Sequence, residues 1–215
     1  MLTRYDIKNK EVLDILEKFR YTFIDELPTK HLVEGRGQEM DRDYYLSDVF
    51  RDKIINQGKD HSGGADRGFL HFMKPDKLVV EGEYADRYKN AWRTLDTEIN
   101  TLLGSRYSAL SSLYPPKGWI GWHNNADACS YNLVFTWSET GDGQFIQYDR
   151  ETKRNDILKD KKGWSLKAGY FGNYDDDKLV YHCAKTECWR MTLSYVFNKT
   201  HYDYWKDCID FITGE

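Results

Sequence analysis

No stretch of the sequence stays apolar for more than a few residues, so nothing in it reads as a membrane-spanning helix. Its first residues, MLTRYDIKNKEVLDILEKF, lack the uninterrupted apolar segment of a signal peptide. A soluble intracellular protein, cytoplasmic in its cell or host, is the expectation. Cysteine is scarce. Only Cys129, Cys183, Cys188 and Cys208 occur, without a CxxC pair, which excludes the common zinc patterns and leaves reduced, mostly buried thiols. Proline is scarce too, and its one doublet, Pro115-Pro116, marks a turn. Neither charge sign dominates. The net charge is −4 and the isoelectric point about 5.9, which argues against a general nucleic-acid coat while leaving a local basic face open. There is no internal repeat and no low-complexity segment.

What is abundant is aromatic: 7 Trp and 16 Tyr in 215 residues. Such rings serve both as core filler and as ligand platforms, so their number decides nothing alone. The length suits one domain over 1–215. Its parts are a helical and irregular stretch at 1–104, a β-rich core at 105–198 and a closing helix at 199–215. Residues 9–24 place Val12, Leu13, Leu16, Phe19 and Phe23 on one helical face. Residues 83–103 do the same with Tyr84, Tyr88, Trp92, Leu95, Ile99 and Leu102, and Gly104 is a natural stop. Residues 25–80 read as irregular, and their SGGADRG run lacks the Lys-Ser/Thr of a phosphate loop. After Gly104 the period changes. Seven short β-branched or aromatic segments, from RYSALSSLY to WRMTLSYVF, predict an antiparallel sandwich or barrel. A last helix is expected over about 200–213. The fold class is α+β.

Within the β region His123 closes GWIGWH, His182 lies in VYHCA, and Arg190 opens RMTLSYVF. Taken singly, each histidine is more often a strand-end residue than a ligand, and Arg190 could pair with Glu187 on the surface. Taken together, two imidazoles and a carboxylate on one face of an iron ion leave the other face open. A guanidinium nearby can hold a carboxylate in two parallel hydrogen bonds. Thr192, two residues after Arg190 and on the same strand face, could add a hydroxyl to that contact.

These positions resemble the Fe(II)/2-oxoglutarate-dependent oxygenase superfamily, in particular its small prolyl-hydroxylase-like members common in bacteriophage genomes. The resemblance covers about 105–198. ETGDGQFIQYD is similar to that family's glycine-turn hairpin, and YHCAKTECWRMTLSYVF to its closing pair of strands. It implies a double-stranded β-helix (jelly roll, cupin-like) with N-terminal bracing helices and a C-terminal helix. It also implies Fe(II) held by His123, His182 and a carboxylate, and 2-oxoglutarate as co-substrate on Tyr114, Arg190 and Thr192. The reaction implied is hydroxylation of a protein side chain or small molecule, releasing succinate and carbon dioxide. The sequence departs from the pattern at one place. The family's corner is His-x-Asp or His-x-Glu, whereas here the third position is Asn125 and the nearest carboxylate is Asp127. Two readings follow: Asp127 reaches the metal across a wider turn, or Asn125 fills the slot. Asp127 could equally cap the turn. A rival function is a decayed jelly roll acting as a phage structural or binding protein. A third is a stacking platform for glycans or nucleic acid, disfavoured because the Trp residues sit inside apolar segments. The substrate and the oligomeric state are not legible.

Overall fold

The computed structural model describes the chain except residues 34–39, 62–63, 69–70, 73–81, 83, 127 and 176–177, and describes residues 32–33 and 71–72 by backbone alone. In chain order the elements are β1 (Leu2–Tyr5), α1 (Lys10–Arg20), α2 (Thr29–Val33), α3 (Arg42–Tyr45), α4 (Asp48–Gln57), β2 (Arg67–Gly68), β3 (His71–Phe72) and α5 (Tyr84–Leu103). Then come β4 (Tyr107–Tyr114), β5 (Trp119–His123), β6 (Ser130–Ser138), β7 (Gly143–Asp149), β8 (Arg154–Lys159), β9 (Gly163–Phe171), β10 (Tyr181–Thr186), β11 (Arg190–Phe197) and α6 (Tyr202–Thr213). A π-helical turn, Tyr21–Glu26, continues α1.

Two antiparallel sheets face each other. One runs β1-β9-β6-β11-β4-β3 and the other β2-β5-β10-β7-β8. Consecutive strands from β4 onward alternate between the sheets, except for the β7–β8 hairpin within one sheet, which is the winding of a double-stranded β-helix. The first sheet is apolar on its outer face. Leu133, Phe135, Trp137, Leu166, Met191, Leu193 and Tyr195 pack there against Val12, Leu16 and Phe19 of α1, Tyr88 to Leu103 of α5, and Trp205 to Ile212 of α6. Period-two alternation therefore turns the intervening residues inward: Asn132, Thr136, Lys167, Arg190, Thr192 and Ser194, all buried. Apart from Thr136, these inward polar residues, together with apolar ones such as Val134, Phe145 and Phe171, line a cavity between the sheets.

The second sheet is covered on its outside by Phe50 and Ile54 of α4, packed on Trp122, Tyr181 and Cys183. Arg51 staples α4 down. Its guanidinium lies 4.2 Å over the Tyr148 ring and donates to Asp48 and Asn155 at 2.6 and 2.8 Å.

The helices at 84–103 and 202–213 lie where the apolar period places them. The stretch 25–80, expected to be irregular, instead contains α2, α3 and α4. These helices are too short and too charged to show a clear apolar face. Three strands differ from the sequence expectation, β1, β2 and β8. Each pairs with a single neighbour at a sheet edge, so its sequence, LTRY, RG or RNDILK, is free to be polar. KLVVEG, residues 77–82, which also reads as a short strand or loop-edge piece, falls mostly outside the described residues.

Candidate active site

His123 and His182 meet across two neighbouring strands. They are register partners of β5 and β10, and their ring centroids are 4.1 Å apart. A register shift brings them there. Between His182 and Ala184 on β10 the partner strand advances from His123 to Ile120, three residues against two. In a regular strand residues three apart face opposite sides. The irregularity lets Ile120 and His123 both face the interior. The reading of His182 as a strand-end residue is corrected: it is the second residue of β10.

Each ring is held the same way. His123 Nδ1 donates to Gly121 O at 2.8 Å, and His182 Nδ1 to Val180 O at 2.9 Å. With the proton placed on Nδ1, the lone pair stands on Nε2. Phe145 and Phe171 flank the His182 ring at 5.2 and 5.0 Å. Burial pulls the His123 pKa down to about 4, and burial followed by the neighbouring His123 holds His182 well below its ordinary value. Both imidazoles are therefore neutral at pH 7, as a metal ligand must be.

The corner after His123 turns on Asn124, not on a carboxylate. Its Oδ1 accepts from Ala126 N at 2.7 Å, its Nδ2 donates to the Tyr174 hydroxyl at 3.0 Å, and Ala126 has a left-handed φ of 47°. A non-glycine residue in that region marks a locally strained turn. Asn125 lines the cavity. Asp127 lies outside the described residues. Among the described residues no third histidine, cysteine or carboxylate completes the pair. His61 comes near enough for its charge to act on His123, and among the described residues its buried Nε2 has no partner. The His71 side chain is outside the description.

His123, His182, Asn125, Tyr114, Arg190 and Thr192 all line one cavity of about 360 Å³. Arg190 and Tyr114 are opposite each other on β11 and β4, with the guanidinium 4.9 Å over the phenol ring. Arg190 does not pair with Glu187, which binds Arg42 instead. Arg190 Nε donates to Asp160 at 2.7 Å. Among the described residues its buried Nη1 has no hydrogen-bond partner, nor has Thr192 Oγ1. A buried polar atom of that kind costs free energy unless something completes it, and a carboxylate would. Burial also raises the Tyr114 phenol, which keeps it a neutral donor. The residues present thus fit the groups the resemblance implies: neutral imidazoles for a divalent metal, and unspent donors for an acid.

Lys167, which lines the cavity, and Asp160 behind it are absent from the sequence expectation; they form a buried pair at 2.7 Å. The lysine had a signal, since it is the one charged residue in WSLKAGYF, at an inward position of β9.

No family model matches the chain, and no curated protein does. Solved structures with a similar arrangement include a prolyl hydroxylase from Trichoplax adhaerens, in complex with a hypoxia inducible factor peptide fragment. It is 10% identical, with 88% of this chain and 94% of that one covered and a TM-score of 0.39. The viral collagen prolyl hydroxylase of Paramecium Bursaria Chlorella virus-1, as a 2-oxoglutarate complex, is 14% identical (77% and 98% covered, TM-score 0.34). The dioxygenase for auxin oxidation 1 of Arabidopsis thaliana, also bound to 2-oxoglutarate, is 13% identical (92% and 83% covered, TM-score 0.39). At these scores the overlap is loose, and the chemistry has to be read from this chain's own residues.

Proposed function

We propose that this chain is an Fe(II)- and 2-oxoglutarate-dependent dioxygenase of the small prolyl-hydroxylase-like kind. It hydroxylates a protein side chain or a small molecule, with succinate and carbon dioxide as co-products. One observation carries the reading. A neutral histidine pair and an arginine with an uncompleted donor line the same cavity, whose volume suits a small ligand. His123 and His182 would hold the metal through Nε2. Bound iron supplies the redox chemistry that couples oxidation of the 2-oxo acid to oxygenation of the substrate. The third ligand is Asp127 or Asn125. Arg190, Tyr114 and Thr192 hold the far carboxylate of 2-oxoglutarate, Arg190 with its free Nη1. Phe145, Phe171 and Ile120 keep water from the histidines.

Binding tests this without turnover. Wild-type protein should bind Co(II) with a visible absorption band that His123→Ala and His182→Ala both lose. The 2-oxoglutarate affinity measured by calorimetry should collapse in Arg190→Met. Wild-type protein that binds neither would end the reading. A second reading, a catalytically silent jelly-roll binding domain, is favoured by one feature, the neutral Asn125 at the position where a carboxylate is expected. Metal bound without any succinate formed would select it.

A further inference from the structure

The cavity floor carries more charge than the proposed co-substrate contact uses. Asp160 sits between two cations. Its Oδ1 accepts from Lys167 Nζ and its Oδ2 from Arg190 Nε, each at 2.7 Å, and the three side chains are 0%, 0% and 1% exposed. The cluster is built from separate elements. Asp160 follows β8, Lys167 lies on β9 and Arg190 on β11. Gly143, at the start of β7, leaves the space the carboxylate fills, because a Cβ there would overlap Asp160 Oδ2. Its carbonyl also accepts from Asp160 N at 2.8 Å.

Counting donors shows that the cluster is not self-contained. An ammonium has three N–H groups. Lys167 spends one on Asp160 and one on Thr136 Oγ1 at 3.2 Å. The third remains, on a side chain that lines the cavity. Arg190 Nη1 and Thr192 Oγ1 have no hydrogen-bond partner among the described residues. Two cations and one anion leave one uncompensated positive charge out of water. One carboxylate neutralises it, whereas a phosphate dianion would leave a buried negative excess, which is costly.

We infer that Lys167 is a second anion-binding residue of this cavity, and that Asp160 sets the charge of the floor so that it accepts a single carboxylate and rejects a phosphate dianion. This rests on the proposed reading of Arg190 as a carboxylate anchor and adds to it the residues that tune the anchor. A lysine that only compensated Asp160 would leave ligand affinity unmoved.

Glutarate is a suitable probe, because it carries the carboxylate end without the oxo group that would chelate metal, so metal-free full-length protein can be used. Affinities for glutarate and inorganic phosphate would be measured by calorimetry for wild type, Lys167→Met, Asp160→Asn and Arg190→Met, with near-ultraviolet circular dichroism to confirm folding. Loss of a charge-assisted bond should weaken glutarate by on the order of 10- to 100-fold in Lys167→Met. Asp160→Asn should gain phosphate binding absent from the wild type. Wild-type glutarate affinity should fall above about pH 8, as Lys167 loses its proton. The charged and polar groups facing Lys167 are Asp160, Arg190, Arg4 and Thr136, with Tyr114 beyond Arg190, and Lys167→Met should abolish that slope. Unchanged glutarate affinity in folded Lys167→Met, with Arg190→Met defective, overturns this inference alone. Phosphate still rejected by Asp160→Asn overturns the charge-setting role. Wild type that binds no glutarate, or Arg190→Met that binds it normally, overturns the anchor reading and this inference together.

Discussion

Replacing Lys167 by Met should change how stability depends on pH, not only its level. Burial pulls the Lys167 ammonium from an ordinary 10.5 to about 8, with Asp160 resisting that pull. The unfolded chain therefore binds a proton between pH 8 and 10.5 that the folded chain does not, and stability rises with pH across that window. At about 1.4 kcal/mol per pKa unit, the cost of holding the charge inside is roughly 3 kcal/mol, fully present below pH 8 and relieved by pH 10.5. Lys167→Met has no such proton. The unfolding free energy of wild type minus variant should thus climb by roughly 3 kcal/mol over that range, worth roughly 6–12 °C in melting temperature for a chain of this size. Urea unfolding followed by tryptophan fluorescence at pH 7, 8, 9 and 10 would read the difference, with titrations elsewhere cancelling between the two proteins. A flat difference would mean that water reaches Lys167 and that the floor is not dry.

Gly143→Ala should unseat Asp160 and leave Arg190 and Lys167 unpaired inside, at a cost of about 3–5 kcal/mol in urea unfolding. Burial holds the His123 pKa down at about 4, so Co(II) binding should persist as pH falls from 7 to 6, where an ordinary imidazole would be mostly protonated; absorbance titration checks this. Arg51→Ala should loosen α4 from the second sheet and cost about 1–2 kcal/mol, seen in thermal melts, since its carboxylate partners are exposed and readily resolvate. Leu133→Ala, inside the helix–sheet core, should cost about 2–5 kcal/mol by chemical denaturation and leave metal binding intact.

The longer elements could be read because one period ran through them. Tyr88, Trp92, Leu95 and Ile99 bury one face of α5, and β6 and β11 bury an apolar row under the helices. The charged interior could not be read in the same way. Alternation shows that Lys167 and Arg190 lie opposite that apolar row, but not that a second sheet closes over them. That depends on pairings far apart in sequence, such as His123 with His182. The short helices α3 and α4 are defined by caps, Asp41 and Ser47 accepting from Tyr44 N and Phe50 N, more than by apolar spacing. The histidine pair was half legible. Each residue stood out as a strand histidine, but the irregularity that turns His123 inward leaves no mark in GWIGWH.

The most direct test of the central claim is conversion of 2-oxoglutarate to succinate by anaerobically iron-loaded protein on admission of oxygen, with His182→Ala, Asp127→Ala and Asn125→Ala alongside. The expected result is succinate from the wild type, none from His182→Ala, and loss in one of the two corner variants, which would name the third ligand. Wild-type protein that holds iron and forms no succinate would contradict the assignment.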